Sequence, residues 1–218
     1  MTIQAFFFDL DGTLVDTEIL WIRAIREYLQ RHGIPCTQEE AVALVYGRSW
    51  NDVYTEMSRR FPHAVAAGIE RVAAELRSSH RRLRAETDVR IVGSIELLVR
   101  LAADYPVAIV SGSPRQDIAD NVAILGAAPF IRFFLGAEDY QPGKPDPACF
   151  RLAAQRLQVD PSTCVVFEDS AAGVRAAKAA GMTCVALARR DAPRQNIAPA
   201  DLVLDNLEKF EIKLLAPN

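Results

Sequence analysis

The sequence predicts an α/β protein: a parallel-sheet core, interrupted after its first strand by an all-helical insertion. Three observations carry this. Short apolar runs at residues 3–8, 106–110, 163–167 and 183–187 are bounded by turn residues, the pattern of strands buried on both faces. From Val89 onward such runs alternate with helical periodicity, which implies βαβ units. Between Pro35 and about Arg84 only helical patterning occurs.

The elements follow in order. The first strand breaks into Asp9 and Asp11, spaced so that both point to the same side of the strand end. Gly12 then permits a sharp turn; a strand closed by a polar Asp-Gly turn reads the same way. Residues 17–32 form a helix on the spacing of Ile22, Ile25 and Leu29, with Asp16 or Thr17 as N-cap and Gly33 as its stop. The helical block continues as 38–45, 49–61 and 64–83, with Pro62 parting the last two. Residues 94–104 are helical, and the strand at 106–110 ends in Ser111, Gly112, Ser113 and Pro114. A helix over 115–125 takes Ser113 as N-cap and Pro114 at its first position. A short strand at 133–135, a Pro/Gly loop at 139–147 and a helix at 147–157 lead to the strand at 163–167, which ends in Glu168 and Asp169. A helix at 171–180 is closed by Gly181, and strands at 183–187 and 202–204 precede a last helix at 207–215. The organisation is a core of residues 1–15 and 85–218 and a helical insertion of residues 16–84.

Composition excludes several functions. The net charge of −3 is spread along the 218 residues, so no nucleic-acid partner is expected. No apolar stretch reaches the length of a membrane span, and the start lacks the basic region of a signal peptide. Cys36, Cys149, Cys164 and Cys184 make no CxxC pair; they read as reduced thiols of a cytoplasmic protein and not as a zinc site. A monomer is expected.

Three strands end in reactive groups: Asp9 and Asp11, Ser111, and Glu168 with Asp169. A parallel sheet lines up its strand ends, so these groups converge. Four carboxylates with Lys144 nearby call for a hard divalent cation, and Mg²⁺ takes one or two carboxylates plus a substrate phosphate. Asp9 is then a nucleophile and Asp11 a general acid and base. Ser111, Gly112 and the amides at the following helix start form an anion site, and Lys144 adds a point charge. Each residue also has a plain structural reading: a turn serine, a solvated loop lysine, or acids that favour a helix N-terminus. Gly143 and Lys144 do not make a P-loop, because Pro145 stands where Ser or Thr is needed.

In order, the motifs Asp9-Leu10-Asp11-Gly12-Thr13, Ser111 after a strand, Gly143-Lys144-Pro145-Asp146-Pro147 and Val166-Phe167-Glu168-Asp169-Ser170 resemble the haloacid dehalogenase superfamily. The match spans essentially the whole chain, and the insertion resembles the helical, C1-type cap of the β-phosphoglucomutase-like subfamily. The resemblance implies a Rossmann-like core and a Mg²⁺ held by Asp9, the main-chain carbonyl of Asp11, Glu168 and Asp169. It implies that Asp9 is the nucleophile, Asp11 the acid/base, Ser111 the phosphate-binding serine and Lys144 the motif lysine. Gly47 and Arg48 resemble the cap's specificity loop, although Arg48 reads equally as a surface turn arginine. Trp21 and Trp50 either line a cleft or pack inside the cap. The implied activity is a Mg²⁺-dependent phosphatase for small phosphate esters, sugar phosphates above all. A phosphohexomutase is the alternative, and a non-catalytic phosphate-binding relative the third reading. Dehalogenases of the superfamily lack the second Asp, so Asp11 argues against that reaction. The mutases carry a His shortly after the first motif; residues 16–22 here hold none.

Overall fold

The computed structural model describes residues 2–45, 50–189 and 192–215. Their contacts divide the chain into two compact units, Met1–Val15 with Arg90–Asn218, and Asp16–Val89.

The first unit is a six-stranded, all-parallel sheet. Its strands are β1 (Ala5–Phe8), β2 (Val107–Val110), β3 (Phe134–Leu135), β4 (Cys164–Glu168), β5 (Thr183–Leu187) and β6 (Leu202–Leu204), in the order β3-β2-β1-β4-β5-β6. β1 therefore lies inside the sheet, and the order reverses direction beside it, where open α/β sheets bind ligands. Phe8 pairs with Ile109 on one side and Phe167 on the other, so the residues that follow all three emerge at one edge.

Helices α5 (Ser94–Ala102), α6 (Arg115–Leu125), α7 (Ala148–Leu157) and α8 (Ala171–Ala179) connect these strands. Every residue of β1, β2, β4 and β5 is buried, which is why those runs are apolar without alternation. Phe7, Ala108, Val110, Phe150 and Val166 share one core cluster. A second cluster is aromatic: Phe167 stacks on Phe8 at 4.5 Å and meets Phe210 edge-on at 4.9 Å. Full burial of a ring such as Phe167 contributes about 1.5–3 kcal/mol.

The second unit contains α1 (Glu18–Arg31), α2 (Gln38–Val45), α3 (Trp50–Arg60) and α4 (Ile69–Glu86). Leu20, Ala24, Leu44, Met57, Val72 and Leu76 are buried in it, and the Tyr28 hydroxyl donates to the Ala64 carbonyl at 2.6 Å. Asp16 caps α1 by accepting from the Ile19 amide at 3.2 Å. The ends of this unit are adjacent, since Asp16 N–H donates to the Val89 carbonyl at 2.8 Å. In the first unit Val15 bridges Arg90 antiparallel, and Ile91 N–H donates to the Leu14 carbonyl at 3.0 Å.

Two helices differ from the sequence reading. The one expected from residue 64 starts only at Ile69, because turns occupy 62–67 and Gly68 adopts φ +88°. The one expected over 207–215 is two short 3-10 turns, Leu207–Lys209 and Ile212–Leu215, parted by extended backbone at Phe210. Among the described residues no helix is long and apolar enough to cross a membrane, and all four cysteines are free thiols.

Candidate active site

Asp9 is the first residue after β1, and its amide donates to the Phe167 carbonyl at 2.9 Å. Glu168 closes β4 and is wholly buried. Between them lies Lys144, delivered by the loop before α7. Its ammonium donates to Asp9 Oδ1 at 2.6 Å, to Glu168 Oε1 at 2.6 Å and to the Val110 carbonyl at 3.0 Å. The three N–H donors of the ammonium thus tie together the ends of β1, β2 and β4. The Lys144 side chain is only 10% exposed, far from the solvated loop lysine of its plain reading. Burial works against its charge, but the Asp9 and Glu168 carboxylates outweigh that and push its pKa well up. Lys144 is therefore an ammonium at neutral pH.

Glu168 Oε2 accepts from the amides of Asp169 and Ser170, at 3.1 and 3.0 Å, and from the Ser170 hydroxyl at 2.9 Å. Ser170 also caps α8, its hydroxyl oxygen accepting from Gly173 N–H at 3.0 Å. The space Glu168 fills exists only because residue 173 has no side chain; a Cβ there would fall on the carboxylate. Gly12 does the same for Asp169. Its φ of +88° makes the turn after β1, and a Cβ would fall on the Asp169 carboxylate.

Oxygens of Asp9, Glu168 and Asp169 lie within 4.8 Å of one another. Burial, and then the neighbouring Glu168, Asp169 and Asp11, push the Asp9 pKa well above the usual carboxylate range against the pull of Lys144. One ammonium does not balance this group. An all-oxygen, hard and anionic donor set at this spacing fits a divalent cation.

Ser111 follows β2, is 1% exposed, and its amide donates to the Leu135 carbonyl at 3.0 Å. Its carbonyl accepts from the Tyr140 hydroxyl at 2.8 Å. Its hydroxyl accepts from Ser113 N–H at 3.0 Å and donates to Asp11 Oδ2 at 3.3 Å. Gly112 is exposed, with nothing near its Cα where a side chain would stand. The sequence-predicted residues Asp9, Asp11, Ser111, Gly112, Lys144, Glu168 and Asp169 thus gather at the carboxyl edge of the sheet. Gly47 and Arg48 lie outside the described residues. In the helical unit, Trp21 stacks on His80 at 4.1 Å and Trp50 lies 6.2 Å from Tyr54.

Sequence reasoning missed four residues. Ser113 does not cap α6: the helix starts at Arg115 without a side-chain cap, and the Ser113 hydroxyl turns to Asp11 Oδ2 at 2.6 Å. Tyr140, Ser170 and Gly173 hold the loops and the carboxylate just described. Only Ser170 carried a local signal, as a serine before an Ala-rich helix.

Residues 3–181 match the family model described as haloacid dehalogenase-like hydrolase. Hexitol phosphatase A of Escherichia coli (strain K12) is 35% identical, covering 97% of this chain and 95% of its own. Validoxylamine A 7'-phosphate phosphatase of Streptomyces hygroscopicus subsp. limoneus is 30% identical over 97% of each. Among solved structures, β-phosphoglucomutase from Clostridium difficile superposes with a TM-score of 0.70 at 24% identity, covering 97% of this chain and 95% of that one, a likeness of fold.

Proposed function

The chain belongs to the haloacid dehalogenase-like hydrolases and is a phosphomonoester hydrolase, and from that premise we propose a Mg²⁺-dependent phosphatase of small polyhydroxylated phosphate esters that works through an aspartyl-phosphate. The observation that carries the mechanism is the buried Asp9 carboxylate at the end of β1, held in place by Lys144. Asp9 attacks phosphorus, the P–O bond to the alcohol breaks, and the phosphoryl group rests on Asp9. Asp11 gives a proton to the departing oxygen and later takes one from the water that attacks the aspartyl-phosphate. Ser111 and the amides after it hold phosphoryl oxygens, and Lys144 offsets their charge. Asp9, the main-chain carbonyl of Asp11, Glu168 and Asp169 would hold Mg²⁺, which supplies charge neutralisation for an in-line displacement. The division into a core of 1–15 and 85–218 and a cap of 16–84, and the assignment of Gly47 and Arg48 to substrate binding, belong to the same proposal.

The names of the relatives, which speak of hexitol, fructose 1-phosphate and validoxylamine A 7'-phosphate, favour sugar and hexitol phosphates. Phosphatase is preferred to mutase because residues 16–22 carry no His. The test is a phosphate-release screen of such esters with Mg²⁺ and with EDTA. Beside it, β-glucose 1-phosphate with catalytic bisphosphate is followed for both free phosphate and glucose 6-phosphate. Phosphate release is expected to dominate. Glucose 6-phosphate forming much faster than phosphate would establish the mutase instead.

A further inference from the structure

We propose that Ser113 is a positioning residue for Asp11, one that holds its carboxyl group for proton delivery to the leaving oxygen. The proposal rests on the acid/base reading of Asp11 above.

The Ser113 hydroxyl is not spent on the helix that follows it, since α6 has no side-chain cap. It donates to Asp11 Oδ2 at 2.6 Å, the shorter of two hydroxyl contacts to that oxygen. The second contact comes from the Ser111 hydroxyl, which donates to Asp11 Oδ2 at 3.3 Å while accepting from Ser113 N–H at 3.0 Å. Ser113 therefore acts twice, once directly and once by orienting Ser111. Its backbone is held from the other side: its carbonyl accepts from Ala137 N–H at 3.0 Å. Gly136 passes so close that a Cβ there would lie 3.0 Å from that carbonyl. A hydroxyl on so fixed a backbone pins the carboxyl rotation that two free torsions would otherwise blur. In the step served, the Asp9–phosphorus bond forms, the phosphorus–alkoxide bond breaks, and the proton passes from Asp11 to that oxygen.

An alkoxide needs the proton to leave; a nitrophenolate does not. The experiment compares kcat/KM of the wild type, Ser113→Ala, Ser113→Thr and Asp11→Asn on glucitol 6-phosphate and on p-nitrophenyl phosphate, in saturating Mg²⁺. This parameter reports steps up to formation of the aspartyl-phosphate. For Ser113→Ala we expect a loss of about tenfold or more on the hexitol ester, at most about twofold on the nitrophenyl ester, and unchanged inhibition by inorganic phosphate. Ser113→Thr, which keeps the hydroxyl, is expected to recover most of the hexitol activity. Equal losses on both esters, or a rise in KM alone, would overturn the proposal in favour of a structural or a substrate-contact role. If Asp11→Asn loses the hexitol ester selectively and Ser113→Ala does not, the positioning role fails and the acid/base reading stands. If Asp11→Asn treats both esters as the wild type does, that reading falls, and the role of Ser113 with it.

Discussion

Alanine in place of a helix glycine usually stabilises, by up to about 1 kcal/mol. Gly173→Ala should do the opposite. The residue lies in the first turn of α8, and the added methyl would coincide with the Glu168 carboxylate. That carboxylate is wholly buried and receives Lys144, the Asp169 and Ser170 amides and the Ser170 hydroxyl, at 2.6–3.1 Å. Moving it breaks a buried ion pair and its supporting hydrogen bonds, at about 3–5 kcal/mol. Moving the helix instead breaks the Ser170 cap on the Gly173 amide, at about 1 kcal/mol, and unpacks β4 from α8. Offsetting the first route by the helix gain leaves a net loss of about 2–4 kcal/mol, or roughly 10 °C in melting temperature. Urea unfolding followed by circular dichroism at pH 7 in EDTA measures it without interference from metal. Gly143→Ala, where a Cβ meets nothing within 4 Å, serves as the control and should change little. A Gly173→Ala protein with a midpoint at or above the wild type would refute the reasoning, because the carboxylate would then have room that the structure denies it.

Asp9→Asn should reduce phosphate release to background while the circular dichroism spectrum is unchanged; near-normal turnover in the folded variant rules out covalent transfer to Asp9. Asp169→Ala should cost most of the activity and raise the Mg²⁺ needed for half-maximal rate, and EDTA should silence the wild type. A rate indifferent to chelator contradicts the metal site. His80 is held neutral by burial and then by Arg84, with its pKa lowered from 6.5 to about 4. The unfolded chain takes up a proton there between those values and the folded chain does not, so stability should fall as pH drops through that window. His80→Gln should lose less than the wild type between pH 7 and pH 5 in urea unfolding, and equal losses would assign the effect elsewhere.

The strand-end acids and Ser111 were legible because each sits where an apolar run stops, and a parallel sheet brings such stops to one edge. Lys144 was legible through the company of its neighbours, Gly143 and Pro145, and not through any pattern of its own. The partners of a hydroxyl are another matter. Ser113 stands where a helix N-cap belongs, and only the approach of Asp11, a hundred residues earlier, decides that its hydrogen goes there. Gly173 reads as an indifferent small residue in an Ala-rich helix; its importance appears only when the Glu168 carboxylate occupies the missing side chain's place. The two misread helices share a cause. Helical spacing at 64–68 and at 207–215 gave no warning that Gly68 would take a positive φ or that Phe210 would stay extended and bury its ring against Phe167. Likewise Trp21 and His80, on α1 and α4, are neighbours that no local window contains.

The paired ends of the helical unit carry a consequence for change over time. Leu14 and Val15 are bonded to Ile91 and Arg90, and Asp16 to Val89, so the chain departs and returns on adjoining rungs of one short ladder. To the sheet, everything between those rungs is a single excursion. Closing such an excursion grows dearer only with the logarithm of its length, about 0.6 kcal/mol per doubling. Helices can be lengthened, trimmed or exchanged inside it without disturbing the register of β1 against β2 and β4. The two parts of the sequence are free to drift at different rates, one held to the cluster at the strand ends and the other to its own helical core.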